Sequence, residues 1–273
     1  MDNILLCTDH SRNASNAINE CLSLFNNKPR HYFLLNTFSL PNKKLDNAVR
    51  FVDSLKIDAN KSLDNEFERI KRLSYTNYTS LGKQAVFGKT ENVINRFINK
   101  NEVDLIVLGN QGKSYHTDKL FGSTTEKLLF EVQCPKLIVP NANHQKKHSI
   151  KLVIAQEKQL QNKKWWSNVS TLANNQNYTI QLVVIPNKQN QPTKKATSLP
   201  YYIAKEDIIV HPFYGKTINE MNESLNRIVQ IEKPALLNIN FSDEKLARRI
   251  IQPSSQKDCI CNKTPFIVQA FQE

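Results

Sequence analysis

Only six glycines occur in the 273 residues, and three of them fall in one short window: Gly109-Asn-Gln-Gly112, nine residues, then Gly122-Ser123-Thr124. Glycine lets backbone amides approach an anion with no Cβ in the way. A helix beginning at Ser123 adds the hydroxyls of Ser123 and Thr124, a turn of unpaired N–H groups and the positive end of its dipole. The chemistry of such a set is that of a phosphate cradle. The run Gly109-Asn-Gln-Gly112-Lys113-Ser114 ends like a P-loop, but that motif places four residues between its glycines and this one places two. The dinucleotide fingerprint Gly-x-Gly-x-x-Gly is absent.

The cradle needs elements to hold it. Asn3 to Thr8 is a short apolar run closed by Asp9, and Ala14, Ala17, Ile18, Cys21, Leu22 and Phe25 then recur at helical spacing. Tyr32 to Thr37 reads as a second strand, and Leu45, Val49, Val52, Leu55, Leu63, Phe67 and Ile70 as one face of a long helix. A third strand is expected between Thr76 and Phe87, with Thr90 capping a helix that carries Val93, Ile94, Phe97 and Ile98. Val103 to Leu108 reads as a buried strand ending at Gly109, Ser123 to Val132 as a helix, and Lys136 to Val139 as a last strand. Strands of continuous apolar residues alternating with helices predict α/β architecture, a doubly wound five-stranded parallel sheet covered on both faces. Ligands of such sheets bind outside the carboxyl ends of the strands, where Gly109 lies.

The second half repeats this order. Tyr214-Gly215-Lys216-Thr217 before a helix and Ala235 to Ile239 after it echo Phe87-Gly88-Lys89-Thr90 and Asp104 to Leu108. Leu152 to Ala155, Ile180 to Ile185, Ile203 to Val210 and Phe266 to Val268 take the places of the first, second, third and last strands. The polar stretch Asn187 to Ser198 replaces the long helix and reads as a loop. Two tandem domains, 1–143 and 150–273, follow. The second is degenerate: aligned on the fourth strand, Gly109 becomes Asn240 and Gly112 becomes Asp243, Glu157 stands near the place of Asp9, and no glycine precedes the final helix. The short apolar strands at Lys136–Val139 and Phe266–Val268 are equivalent sheet edges, expected to cover one another in an intramolecular pseudo-dimer.

Composition narrows the remaining classes. Hydrophobic residues at 40% and charged residues at 23% describe a globular chain. Apolar runs of four or five residues fall far short of the roughly twenty that span a bilayer, and the opening carries no secretory leader, so a cytoplasmic, membrane-free protein is expected. The five cysteines form no Cys-x-x-Cys pair and read as reduced core thiols. The net charge of +12 is shared equally by residues 1–150 and 151–273, in doublets without interleaved aromatics, which argues against a nucleic-acid face.

Gly109-x-x-Gly112, nine residues, Gly122-Ser123 resembles the ATP-binding signature of universal stress proteins, and the opening Ile4-Leu-Leu-Cys-Thr-Asp9-His-Ser11 resembles theirs as well. The resemblance covers residues 3 to 140 and, more faintly, 151 to 270. It implies that Asp9, with Thr8 beside it, and Thr37 flank the adenine, while Gly109, Gly112, Gly122, Ser123 and Thr124 hold ribose and phosphates of ATP, with magnesium as its companion ion. Thr37 stands where the family commonly has an aliphatic residue. The implied function is an ATP-binding stress-response regulator or sensor, a pseudo-dimer within one chain with a homodimer open. Two other classes stay open: an interaction protein that binds no nucleotide, whose mark would be loss of the glycines, and a slow ATPase. Enzymes of related folds carry His-x-Gly-His or Ser-Gly-Gly loops that this chain lacks. His10 and His116 read as exposed loop residues.

Overall fold

The computed structural model describes residues 1–40, 48–74, 76–112, 120–141, 149–175, 177–186, 199–204, 208–211, 213, 215, 217–241, 243–252 and 259–269. The chain divides into two compact units, Met1–Asn141 and Ala142–Glu273. His116 and the stretch from Asn187 to Ser198 lie outside the described residues.

In the first unit β1 (Asn3–Cys7), α1 (Arg12–Leu24), β2 (Arg30–Phe38), α2 (Ala48–Lys71), β3 (Tyr78–Phe87), α3 (Thr90–Asn101), β4 (Leu105–Gly109), α4 (Ser123–Glu131) and β5 (Lys136–Val139) follow in order. The sheet order is β3-β2-β1-β4-β5, with every pairing parallel. Central strands β1 and β4 are buried on both faces, as Ile4, Leu5, Leu6, Leu105, Ile106 and Val107 show. That is why they read as unbroken apolar runs rather than alternating ones. The chain winds outward from β1 through β2 to β3, then returns to β4 on the other side. The carboxyl ends of β1 and β4 therefore flank the point where the winding reverses, the usual crevice of an open α/β sheet.

Helix starts are set by local chemistry. Ser11 caps α1, its Oγ accepting from Ala14 N at 3.1 Å. Thr90 does not cap α3: Lys89 holds that position without a side-chain hydrogen bond, and Thr90, already inside the helix, turns its hydroxyl to Thr37 instead. Helix α2 buries Ala59, Leu63 and Ile70 along one face, and Glu66 shares that stripe. Its carboxylate is tolerated there because Arg69 grips both oxygens at 2.8 Å. This pairing and a hydrogen bond from Ser15 outweigh burial and hold Glu66 below the usual carboxylate range.

The second unit runs β6 (Ile150–Gln156), a short 3-10 helix at Glu157–Gln161, α5 (Lys163–Asn175), β7 (Thr179–Ile185), α6 (Tyr201–Ala204), β8 (Ile209–His211), α7 (Ile218–Glu232), β9 (Leu236–Asn240), α8 (Glu244–Ile251) and β10 (Phe266–Val268). Its sheet order, β8-β7-β6-β9-β10, repeats that of the first unit, again with parallel pairings. The third strand is shorter than the sequence predicts. Ile203 belongs to the one-turn helix α6 and is fully buried, packing with Leu160, Trp165 and Trp166, so its apolar character serves the core rather than the sheet. Two lysines also lie in strands: Lys136 and Lys151 are both wholly buried, their ammonium groups donating to the backbone carbonyls of Cys134 and Val169 at 2.8 and 2.9 Å. No helix among the described residues is long and apolar enough to cross a membrane.

Candidate functional site

The site grows from the end of β1. Thr8 N donates to Leu35 O at 2.9 Å and Asn36 Nδ2 donates to Thr8 O at 2.8 Å, so β2 straps the strand end on both sides of the peptide. Beyond Thr8 the chain turns sharply. His10 adopts a left-handed φ of 61°, its N–H donates to Thr8 Oγ1 at 3.0 Å, and Ser11 N donates to Asp9 Oδ1 at 3.0 Å. This tight turn directs Asp9 towards the β4 loop. His10 is half-buried rather than exposed and does not line the cavity described below; the Glu66 carboxylate of α2 is a charge neighbour.

The loop after β4 is built on two asparagines. Asn110 N donates to Val139 O at 3.0 Å, Asn110 Nδ2 to Leu120 O at 3.0 Å, and Gly122 N returns to Asn110 O at 2.8 Å. Asn13, in the first turn of α1, donates from Nδ2 to Asn110 Oδ1 and to Gln111 O, both at 2.9 Å. Both asparagine side chains are buried, and Asn110 Oδ1 also accepts from Asn141 N at 3.1 Å. Thr125 Oγ1 donates to Gly109 O at 2.9 Å and pins helix α4 to the strand end.

Two of the three glycines are explained by packing within this framework. A Cβ on Gly109 would stand 2.8 Å from Asn13 Nδ2 and 3.2 Å from its backbone carbon, and one on Gly112 would stand 2.6 Å from Asp9 Oδ2. Gly122 differs. Its φ of −68° is open to any residue, and a Cβ there would meet Gly112 N at 3.4 Å, an ordinary contact. As the cap residue of α4 it has no side chain of its own to accept from the first-turn N–H groups of that helix.

Thr8, Asp9, Thr37, Gly109, Gly112, Gly122, Ser123 and Thr124 all line one cavity of about 610 Å³. Cys7, Leu35, Thr90, Ile94, Gln111, Phe121, Thr125 and Glu126 complete much of its wall. Thr37 Oγ1 and Thr90 Oγ1 lie 2.7 Å apart across it. Burial, with Cys134 as a neighbour, pushes the Cys7 thiol up to about 12, so it is neutral near pH 7 and no nucleophile. The charged groups among the described lining residues are the carboxylates of Asp9 and Glu126. Thr90, Gln111 and Glu126 are not among the site residues expected from the sequence: Gln111 fills an unspecified position between two glycines and Glu126 belongs to no motif. The hydroxyl of Thr90 at a helix start was the one available signal.

The second unit is built differently at the corresponding place. The connection from β9 to α8 is only Phe241 to Asp243, against Asn110 to Gly122 in the first unit. Asp243 is therefore the counterpart of Gly122 and not of Gly112, correcting the alignment from sequence. It caps α8, its Oδ1 accepting from Lys245 N at 2.8 Å and Leu246 N at 3.1 Å. Where α4 begins at a glycine with no side-chain acceptor, α8 begins at a carboxylate that accepts from its first turn.

A model of the universal stress protein family matches residues 1–140. Among solved structures, a universal stress protein from Archaeoglobus fulgidus DSM 4304 is similar with a TM-score of 0.72 at 16% identity, over 100% of this chain and 97% of that one. A functionally unknown protein from Pseudomonas aeruginosa PAO1 is similar with a TM-score of 0.59 at 12% identity, over 98% of this chain and 92% of that one. At such identities the likeness shows a shared fold alone. No curated protein sequence matches the chain.

Proposed function

The chain belongs to the universal stress protein family, and from that premise we propose that its first unit binds one ATP and that the protein acts as a stress-response regulator or sensor rather than a catalyst. The observation that carries the reading is the convergence of residues from four separated segments, around Thr8, Thr37, Gly109 and Gly122, on a single cavity at the winding reversal of the sheet. Its volume falls within the range of about 300 to 1,000 Å³ usual for small-molecule sites. The N-terminus of α4 and the Ser123 and Thr124 hydroxyls form its anion-binding end. The Gly122 position supports the same reading: internal packing does not demand glycine there, whereas close approach of a phosphate does.

Magnesium fits this wall. A triphosphate brought beside the Asp9 and Glu126 carboxylates meets like charge, and magnesium is commonly bound by one or two carboxylates together with substrate phosphates. Glu126, Ser123 and Thr124 are the residues whose oxygens are available to such an ion. Asp9, with one oxygen held by Ser11 N, serves as a fixed acceptor for the nucleoside. Nucleotide released from the purified, denatured protein and identified by mass spectrometry tests the reading. Adenine nucleotide near one equivalent is the expected result, and its absence together with no binding of added ATP would favour an interaction protein.

A further inference from the structure

We propose that the Thr37–Thr90 hydroxyl pair makes this pocket indifferent to the polar edge of a purine, so that it accepts guanosine and inosine triphosphates about as well as ATP. The proposal rests on the nucleotide reading above. With the anion end fixed by the loop after β4, the base has to occupy the far part of the cavity, on the β2 side. Neighbouring strands lie about 4.8 Å apart, so the ends of β2 and β4, separated by β1, stand about 10 Å apart. That is on the order of the distance a ribose puts between base and phosphates. On that side the cavity wall consists of Leu35 and Thr37 from β2 and Thr90 and Ile94 from α3. Two apolar side chains offer flat contact to a ring without reading its edge, and the hydroxyls provide the polar atoms.

Each hydroxyl has one donor and two lone pairs. Their mutual hydrogen bond at 2.7 Å uses one donor and one lone pair, leaving one rotatable O–H and three lone pairs at the cavity wall. Adenine presents a ring-nitrogen acceptor and an amino donor; guanine presents a carbonyl acceptor and a ring N–H donor. The pair can answer either pattern by rotating. Strong discrimination in binding sites arises when the wrong ligand leaves a buried polar group unpaired. Here that penalty is absent, because the two hydroxyls satisfy one another whichever base is present. Both residues are half-buried and line the cavity a base would fill.

Replacing one member breaks this symmetry. In Thr37→Val the lone Thr90 hydroxyl can meet only one atom of a base edge at a time, where the pair offers a donor and an acceptor together, so the two base edges are no longer answered alike; Thr90→Val does the same to Thr37. The experiment is calorimetric titration of the full chain with ATP, GTP and ITP in excess magnesium, on wild type and on each variant, with circular dichroism melts as a check on folding. The expected result is dissociation constants for ATP and GTP within about fivefold in the wild type, and a change in their ratio of tenfold or more in at least one folded variant. A wild-type preference beyond fivefold, or a ratio unmoved in both variants, overturns the proposal while leaving nucleotide binding intact. Failure of all three nucleotides to bind overturns the nucleotide reading itself, and this inference with it.

Discussion

Asn13, in the first turn of α1, donates from one amide nitrogen to the side chain of Asn110 and to the carbonyl of Gln111, each at 2.9 Å, and so fixes the glycine loop against a helix from the other end of the unit. Removing Asn13 takes one buried hydrogen bond from Asn110 Oδ1, which keeps Asn141 N, and one from Gln111 O, at a cost of about 1 to 3 kcal/mol. Asn13→Ala should therefore lower the thermal midpoint by several degrees and weaken ATP binding tenfold or more, because the loop is no longer held. Calorimetric titration and a thermal melt on the same sample check both. A destabilised variant with unchanged affinity would show that the network supports the fold but not the loop.

Gly112 and Gly122 should separate stability from binding. A Cβ on Gly112 collides with Asp9 Oδ2 at 2.6 Å, so Gly112→Ala must displace Asp9 or the loop and lose both stability and binding. At Gly122 neither backbone angle nor packing forbids a side chain. Gly122→Val should cost the fold no more than about 1 to 2 kcal/mol, the loss of a tolerable cap residue, while ATP binding is abolished. Equal affinity in the folded Gly122→Val protein would remove that end of the loop from the site.

The buried lysines set the pH dependence of stability. Burial pushes Lys151 down to about 7 and Lys136 down to about 8 from 10.5. Between those values and 10.5 the unfolded chain holds more protons than the folded one, so stability rises with pH through that window. Cys7 and Cys134 are pushed by burial up to about 12 from 9.0, so above 9.0 the folded chain holds more protons and stability falls as pH rises. Thermal melts should thus rise from about pH 7 and turn over between about pH 9 and 10.5. Lys151→Met should flatten the rising limb and stabilise the protein at pH 6.5, since a wholly buried charge that donates to the Val169 carbonyl is replaced by an apolar side chain of similar length. A midpoint unchanged by Lys151→Met at pH 6.5 would contradict this.

Magnesium dependence follows from the lining. Asp9 and Glu126 bring negative charge to the cavity that would receive a triphosphate, and two unit charges 4 Å apart repel by about 1 kcal/mol in water and more at lower dielectric. Chelation by EDTA should weaken ATP binding at least tenfold. Glu126→Gln should recover part of that loss, and an affinity indifferent to EDTA would place the phosphates away from these carboxylates.

The sheet was legible in the sequence because its central strands are buried on both faces, which forces unbroken apolar runs such as Ile4–Leu6 and Leu105–Val107. The glycine window stood out because glycine is scarce elsewhere in the chain. The Asn13–Asn110 tie left no trace, since two polar residues 97 positions apart follow no periodicity and their meaning lies in a tertiary contact. The burial of the Lys136 and Lys151 ammonium groups left no trace either: nothing local tells a snorkelling lysine from one whose ammonium is met by carbonyls. Ile203 was assigned to a strand because an apolar residue in a short segment looks alike in a sheet and in a one-turn helix. Asp243 was aligned with the wrong glycine because the second unit's loop is shorter, and only the helix start shows that it replaces Gly122.

That replacement leads to the most direct test. In the first unit α4 starts at a glycine with no side chain to cap it, and Gly122, Ser123 and Thr124 line the cavity; in the second, Asp243 already accepts from the first-turn amides of α8 and places a carboxylate at the corresponding helix start. One chain should bind one ATP, in the first unit. Equilibrium dialysis with labelled ATP and magnesium at saturation should approach one equivalent per chain, and fall to none in Gly122→Val. A value near two would contradict the account of the second unit, and a value of zero in the wild type would contradict its central claim.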